Sequence, residues 1–382
     1  MRAVRFGIFA GLTLLAAPLT AQETAAPWRL SYFPYVTASP NDGVMGIARA
    51  IWFRQASWGD RVTLNNSVAV EAGYSTKDAW LARVTWANPR LADGWRAMAH
   101  VEVGHSPNFG LRSSFSDDEF LFERNKKVAW IDVTRRLSGP LHLAVRPALQ
   151  HNTLGLSLLG STTEIEETDV SVRGALVLDL RDREFEVNNG ILLEMGAIAG
   201  SASDDGDSRS YTAPYAHFRG WLRPTAPLRL TARYAWRGAA KNGLASSIEF
   251  PGWEAPFDML GGHRSHRGLA ISELPVDQVQ FAGLEARFDI INLGELAAVT
   301  LFGFVDAGRV DDTDDLTITD AVVSPRLVSS ANAVRSSARE GEWVVAPGGG
   351  IALRALRAAT LTISAARAEG RTVWYVGSGW SW

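Results

Sequence analysis

The sequence predicts an all-β chain, a 16-stranded antiparallel transmembrane β-barrel. Three observations lead there. Apolar and polar residues alternate with period two over segment after segment, the pattern of a strand with one oily and one polar face. The connectors between segments alternate between short and long, as in a meander closed across a membrane. Tryptophans gather near segment ends on the apolar face, and indole prefers the boundary between hydrocarbon and water. Composition points elsewhere: 382 residues, 46% hydrophobic and 21% charged, describe an ordinary soluble protein of two or three domains. The order of the residues overrides their average, because a barrel that is oily outside and charged inside has the same composition.

Composition does exclude some functions. With 38 Lys+Arg against 41 Asp+Glu, the chain lacks the basic excess that nucleic-acid binding normally requires. The absence of Cys removes disulfides, thiolate metal sites and cysteine nucleophiles.

The first element is a secretory signal over residues 1–21. Arg2 and Arg5 precede an apolar run from Phe6 to Ala17, and small residues end at Ala21. The run is too short to remain as a spanning helix. Cleavage after Ala21 leaves residues 22–382 as one barrel domain. Strands are then expected to begin near 28, 44, 61, 79, 95, 126, 141, 167, 185, 211, 227, 277, 296, 342, 358 and 371. Most run about 9–14 residues, near the 9–11 that cross a bilayer at a tilt. In the segment from Trp95, the residues Trp95, Ala97, Ala99, Val101 and Val103 face Arg96, Met98, His100 and Glu102 on alternate positions. Leu228, Leu230, Ala232, Tyr234 and Trp236 alternate with Arg229, Thr231, Arg233 and Arg237. Val170, Val172, Leu176, Leu178 and Leu180 alternate with polar residues that include Arg173 and Asp179. Long loops are expected at 105–125, 152–166, 199–210, 240–276 and 310–341, with SGP, RDRE, PTAP, INLGE and ALR as short turns between them. The aromatic girdles draw on Trp28, Trp52, Trp80, Trp86, Trp95, Trp236, Trp374, Trp380 and Trp382.

Three pieces carry a family resemblance. FDMLGGHRSHRGLA occupies Phe257 to Ala270, GLEARFD occupies 283–289, and LFGFVDAGRV occupies 301–310. In this order and spacing they resemble the barrel of the BamA/TamA bacterial surface antigen superfamily of outer-membrane proteins. The opening strands and the terminal TVWYVGSGWSW fit the same pattern, so the resemblance spans nearly the whole chain after the signal. It implies that the sixth extracellular loop folds into the lumen, with Leu260, Gly261, Gly262, Arg267 and Gly268 at its tip. It further implies that Glu285 on the twelfth strand and Asp306 on the thirteenth hold Arg267. Leu269 departs from the family, where an aromatic residue is common. About six residues separate Ala21 from Trp28, too few for the POTRA domains that usually precede such barrels. The resemblance therefore implies a POTRA-less member acting in protein insertion or translocation, with a separate periplasmic partner in place of those domains. Its other partners would be the outer-membrane bilayer and unfolded outer-membrane clients. The mechanism implied is a weak seam between first and last strands; Gly377, Gly379 and Trp382 belong to that terminal strand.

Physical chemistry alone leaves two placements for Arg267. A guanidinium inside a closed lumen needs acceptors, which two carboxylates provide; alternatively, Arg267 sits on a solvated loop tip and Glu285 pairs with Arg287. Other functions have weaker signals. His263 and His266 lack a third metal ligand. No Ser–His pair marks a hydrolase, and the acidic loops at 116–119, 203–207 and 310–315 suit solvated tips better than calcium sites. A passive pore or structural barrel is the main rival. No enzyme activity, cofactor, metal or nucleic-acid partner is expected.

Overall fold

The computed structural model describes residues 26–57, 59–112, 119–158, 161–204, 207–238, 250–251, 256–257, 260–271, 273, 278–294, 296–311, 341–355 and 359–378. The predicted signal at 1–21 lies outside them, as do Gly379, Trp380 and Trp382. So do parts of the three acidic loops, at 116–118, 205–206 and 312–315.

The chain forms one closed antiparallel barrel of sixteen strands with one short extra strand. The barrel strands are β1 (Tyr35–Ser39), β2 (Gly43–Gln55), β3 (Leu64–Ser75), β4 (Trp80–Ala92), β5 (Trp95–Arg112), β6 (Glu119–Ser138), β7 (Leu141–Leu158) and β8 (Ser161–Asp179). They continue as β9 (Gly190–Asp204), β10 (Asp207–Leu222), β11 (Leu228–Arg237), β12 (Gln278–Asn292), β13 (Ala297–Asp311), β14 (Val344–Ala355), β15 (Ala359–Ala368) and β16 (Arg371–Ser378). Each pairs with the next in sequence, and β16 returns to β1. The extra strand, Arg29–Tyr32, pairs with Ala50–Phe53 of β2, while β1 pairs with Gly43–Ile47 of the same strand. Together they form one first strand broken at Phe33–Pro34, where Pro34 has no N–H to give to a ladder.

The alternation read from the sequence sets which way each side chain points. On β11, Arg229, Thr231, Arg233, Ala235 and Arg237 are buried, while Leu230 and Tyr234 are exposed on the outer wall. On β8, Val170, Val172 and Leu176 face outward and Arg173 and Asp179 inward. A soluble core is thereby turned inside out, with hydrocarbon as the solvent for the apolar face and charge pairing within the lumen. Arg173 bridges Asp132 at 2.7 Å and Glu194 at 3.1 Å, and Arg146 reaches the same Asp132 at 3.0 Å. Such lattices satisfy guanidinium forks that a dry interior would otherwise penalise.

Three expectations need correction. The loops expected at 105–125, 152–166 and 199–210 are mostly strand: β5 and β6, β7 and β8, and β9 and β10 extend into them as long hairpins. Their sequences lack oily alternation because these ends leave the hydrocarbon, yet the ladder hydrogen bonds continue. Tryptophan is also not confined to the girdle. Trp28, Trp52, Trp80, Trp95 and Trp374 are exposed outside, but Trp130 stacks on His100 within the lumen and Trp221 is buried. Finally, RDRE is no simple turn. Residues 180–189 fold across the barrel mouth and pack Val187 inside.

Candidate functional site

The segment Leu260–Ile271 lies against the inner faces of β12, β13, β14 and β16. Its turn is built by glycine. Gly261 and Gly262 hold φ of +129° and +111°, which side-chain-bearing residues rarely adopt. A Cβ on Gly261 would also strike the Ala270 carbonyl. The turn closes through Gly261 N donating to Ser265 Oγ at 3.0 Å and Gly262 N donating to His266 O at 3.2 Å. Gly268 serves a different purpose. A Cβ there would collide with Ala346 of β14 and Ala368 of β15, so its bare backbone permits close approach to the wall. Gly308 of β13 and Gly377 of β16 do the same from the wall side, making room for Leu260 and His263 respectively.

This approach delivers Arg267 to two carboxylates. Its backbone N–H donates to Asp306 Oδ2 at 3.0 Å, Nε to the same oxygen at 2.8 Å, and Nη2 to Oδ1 at 2.9 Å. Nη1 donates to Glu285 Oε2. The guanidinium carbon also lies 3.3 Å from the centre of the Phe304 ring, so fork, carboxylates and aromatic face engage together. Glu285 accepts from Arg287 Nε at 2.6 Å as well, so both placements of Glu285 considered from sequence coexist. Burial by itself would lower the Arg267 pKa, but Asp306 and Glu285 outweigh it and raise the group above its ordinary value. Leu269 is buried in an apolar cluster with Phe281, Phe302 and Phe304 and fills the place after the Arg-Gly pair.

The two loop histidines do not converge. His266 Nε2 donates to the Val344 carbonyl at 2.9 Å, and His263 lies beside Tyr375, with ring centroids 6.1 Å apart. Burial, then neighbouring Arg264, pushes His263 down to about 3. His266 is lowered by burial too. Among the described residues there is no group of three or more His, Cys, Asp or Glu side chains placed to hold a metal ion.

Several contacts here were not singled out from the sequence. Asn41, in the turn between β1 and β2, accepts from Ile271 N at 2.9 Å and donates to Ile271 O at 3.3 Å. On the other side of the seam, the Tyr375 hydroxyl donates to the Leu269 carbonyl, and Arg371 pairs with Glu273. The chain from Leu269 to Glu273 thus touches the first hairpin and the last strand at once. Asn41 and Ile271 are separated by 230 positions, and nothing local marks their pairing. Backbone pairing at that seam consists, among the described residues, of Val376 with Ala38.

Arg264 points from the loop into a cavity of about 530 Å3, also lined by Arg83, Thr85, His100 and Glu102. Thr85 Oγ1 lies 2.9 Å from His100 Nδ1, and His100 Nε2 lies 3.5 Å from Glu102. Glu102 is also shared with Lys126 at 3.3 Å and Arg83 at 3.8 Å.

The fold is similar to known outer-membrane barrels. BamA from Haemophilus ducreyi lacking POTRA domains 1-3 superposes with a TM-score of 0.58 at 12% identity, over 92% of this chain and 70% of that one. CdiB from Escherichia coli gives 0.53 at 11% identity, over 92% and 67%. CdiB from Acinetobacter baumannii gives 0.51 at 11%, over 92% of this chain and 65% of its own length. No protein-family model matches the sequence. No curated protein matches it either.

Proposed function

We propose that this chain is an outer-membrane barrel of the BamA/TamA kind that acts in outer-membrane biogenesis, inserting or translocating polypeptide at the β1–β16 seam. The observation that carries this reading is the contrast in pairing: among the described residues one register pair joins β16 to β1, whereas β8 to β9 and β9 to β10 pair along most of their length. Backbone groups left unpaired at a strand edge are a template for an incoming strand. In this reading the loop is a lock. Arg267, held by Glu285 and Asp306, fixes the loop to the wall, with Gly261, Gly262 and Gly268 permitting its path. Gly377 weakens side-chain packing in the last strand; Gly379 and Trp382, assigned to that strand from the sequence, lie outside the described residues. The lipid bilayer and unfolded outer-membrane proteins are the partners, a separate periplasmic protein supplies clients, and the signal over residues 1–21 directs export. No catalytic residue or cofactor enters this mechanism.

Vesicles containing the purified chain should accelerate folding of a urea-unfolded outer-membrane barrel above empty vesicles. A disulfide between Ala38→Cys and Val376→Cys should remove the acceleration until it is reduced. Equal folding with and without the protein would end the insertion reading. The passive-pore reading instead requires steady conductance in planar bilayers that rises when residues 260–271 are deleted.

A further inference from the structure

Residues 180–189 join β8 to β9 by crossing the short-turn mouth of the barrel instead of skirting it. On one side, the Glu184 carboxylate accepts from Arg96 Nη1 and Nη2 of β5 at 2.9 Å each, and its backbone N–H donates to Arg61 O at 2.9 Å. Two residues later, Glu186 reaches the opposite wall, where it pairs with Arg229 of β11 and lies 3.7 Å from Arg354 of β14. Phe185, between them, lines both the inner cavity of about 530 Å3 and a vestibule of about 670 Å3 at the rim. With Thr63, which also lines both, Phe185 sits where the two spaces meet. Glu186 has φ of +53°, a left-handed conformation that a non-glycine residue keeps only when its surroundings impose it. Arg229 and Arg354 hold its carboxylate in that position.

The vestibule is lined by Arg61, Arg183, Arg223, Arg229 and Arg354, with Asp60 and Asp289 beside them. Glu186 itself supplies one of the carboxylates that face them. We propose that this vestibule is a docking site for an acidic peptide segment of a separate periplasmic protein. Glu186 occupies it as a tethered stand-in, and displacing Glu186 swings Phe185 aside and connects the inner cavity to the periplasm. The placement rests on the function proposed above and takes the short-turn rim, opposite the loop expected to be extracellular, to face the periplasm. Guanidinium forks bind carboxylates in pairs, and a run of acidic side chains engages several forks at once where a single small anion engages one. Arg229 and Arg354 point into the lumen and are buried there, out of reach of lipid phosphate.

Fluorescein-labelled hexaglutamate, titrated against the full chain in nanodiscs, tests the proposal. Glu186→Gly removes the stand-in and tolerates the positive φ, and should bind the peptide about tenfold more tightly than the wild type. Adding Arg183→Gln and Arg223→Gln should reverse that gain. The chain has no native Cys, so Thr85→Cys places a single thiol on the inner cavity. Its reaction with a water-soluble maleimide should speed up with hexaglutamate, and with Phe185→Ala should be fast without it. Equal affinity of the wild type and Glu186→Gly overturns the stand-in, and displacement by equimolar inorganic phosphate overturns the peptide specificity. Binding without faster thiol labelling overturns the gate. Heat-shifted mobility in gels verifies that each variant is folded, and Glu186→Gln carries the same test should Glu186→Gly fail to fold. None of these readouts involves client folding, so this proposal and the insertion reading fail separately.

Discussion

The wall from β8 to β10 and the seam from β16 to β1 are closed by different means. Along the wall, β8 and β9 pair from Asp179 with Leu192 through to Glu167 with Asp204, and β9 and β10 pair over the full length of β9. The lumen side adds a charge lattice through Arg173, Asp132 and Glu194, and Tyr215 donates to Glu194 at 2.5 Å. At the seam, the ladder among the described residues, which end at Ser378, consists of Val376 with Ala38. Closure passes instead to the loop, through Asn41 with Ile271, Tyr375 with Leu269 and Arg371 with Glu273. A ladder distributes its stability over many backbone bonds and releases them together. A strap of side-chain contacts concentrates the same task in a few groups, so a single substitution tests it.

The strongest way to break this contrast is at Arg267. Arg267→Ala leaves Glu285 and Asp306 buried beside one fewer cation, a change that costs about 3–5 kcal/mol in buried pairs. The expected result is a lower temperature for loss of the heat-resistant gel form. Cross-linking between Ala38→Cys and Val376→Cys should also fall, while cross-linking between Leu176→Cys and Met195→Cys, which sit opposite each other in the wall, should hold. Equal losses at both places would show that the seam has no separate control.

Acid sharpens the contrast next. His263, beside Tyr375 of the last strand, is pushed down to about 3, so it stays neutral in the folded barrel while an unfolded imidazole protonates near its ordinary value. Stability is therefore full above about pH 6.5 and falls at up to about 1.4 kcal/mol per pH unit as pH drops toward about 3. His263→Gln should flatten that slope in a pH series of unfolding midpoints. An unchanged slope would assign the acid sensitivity to other groups.

The smallest effect is expected at Asn41. Asn41→Ala removes two neutral hydrogen bonds to Ile271, worth about 1 kcal/mol each. Seam cross-linking should decrease slightly, with the overall melting temperature nearly unchanged. A melting change as large as that of Arg267→Ala would mean that strap and wall are one cooperative unit.

Much of this architecture was legible in the sequence, and the reason is locality. Period-two alternation depends only on neighbouring residues, so the strand starts at 95, 141 and 371 were read correctly, as was the inward set on β11. Arg267, Glu285 and Asp306 were brought to attention by resemblance, since 18 and 39 positions separate Arg267 from its two partners. The limits of β5 to β10 were missed because strand beyond the bilayer needs only ladder hydrogen bonds, which many sequences can make. The connector at 180–189 was missed for another reason: its course depends on Arg96, Arg229 and Arg354, which only barrel closure brings to one mouth.

By itself, then, the sequence determined the strand pattern and the direction in which each side chain points. Both follow from the chain's repeat of two residues and from the separation of oil from charge. Tertiary structure alone decided which side chains bridge the first hairpin and the last strand and what covers the barrel mouth. Those outcomes depend on groups such as Asn41 and Ile271, or Glu186 and Arg229, which meet only once the barrel has closed.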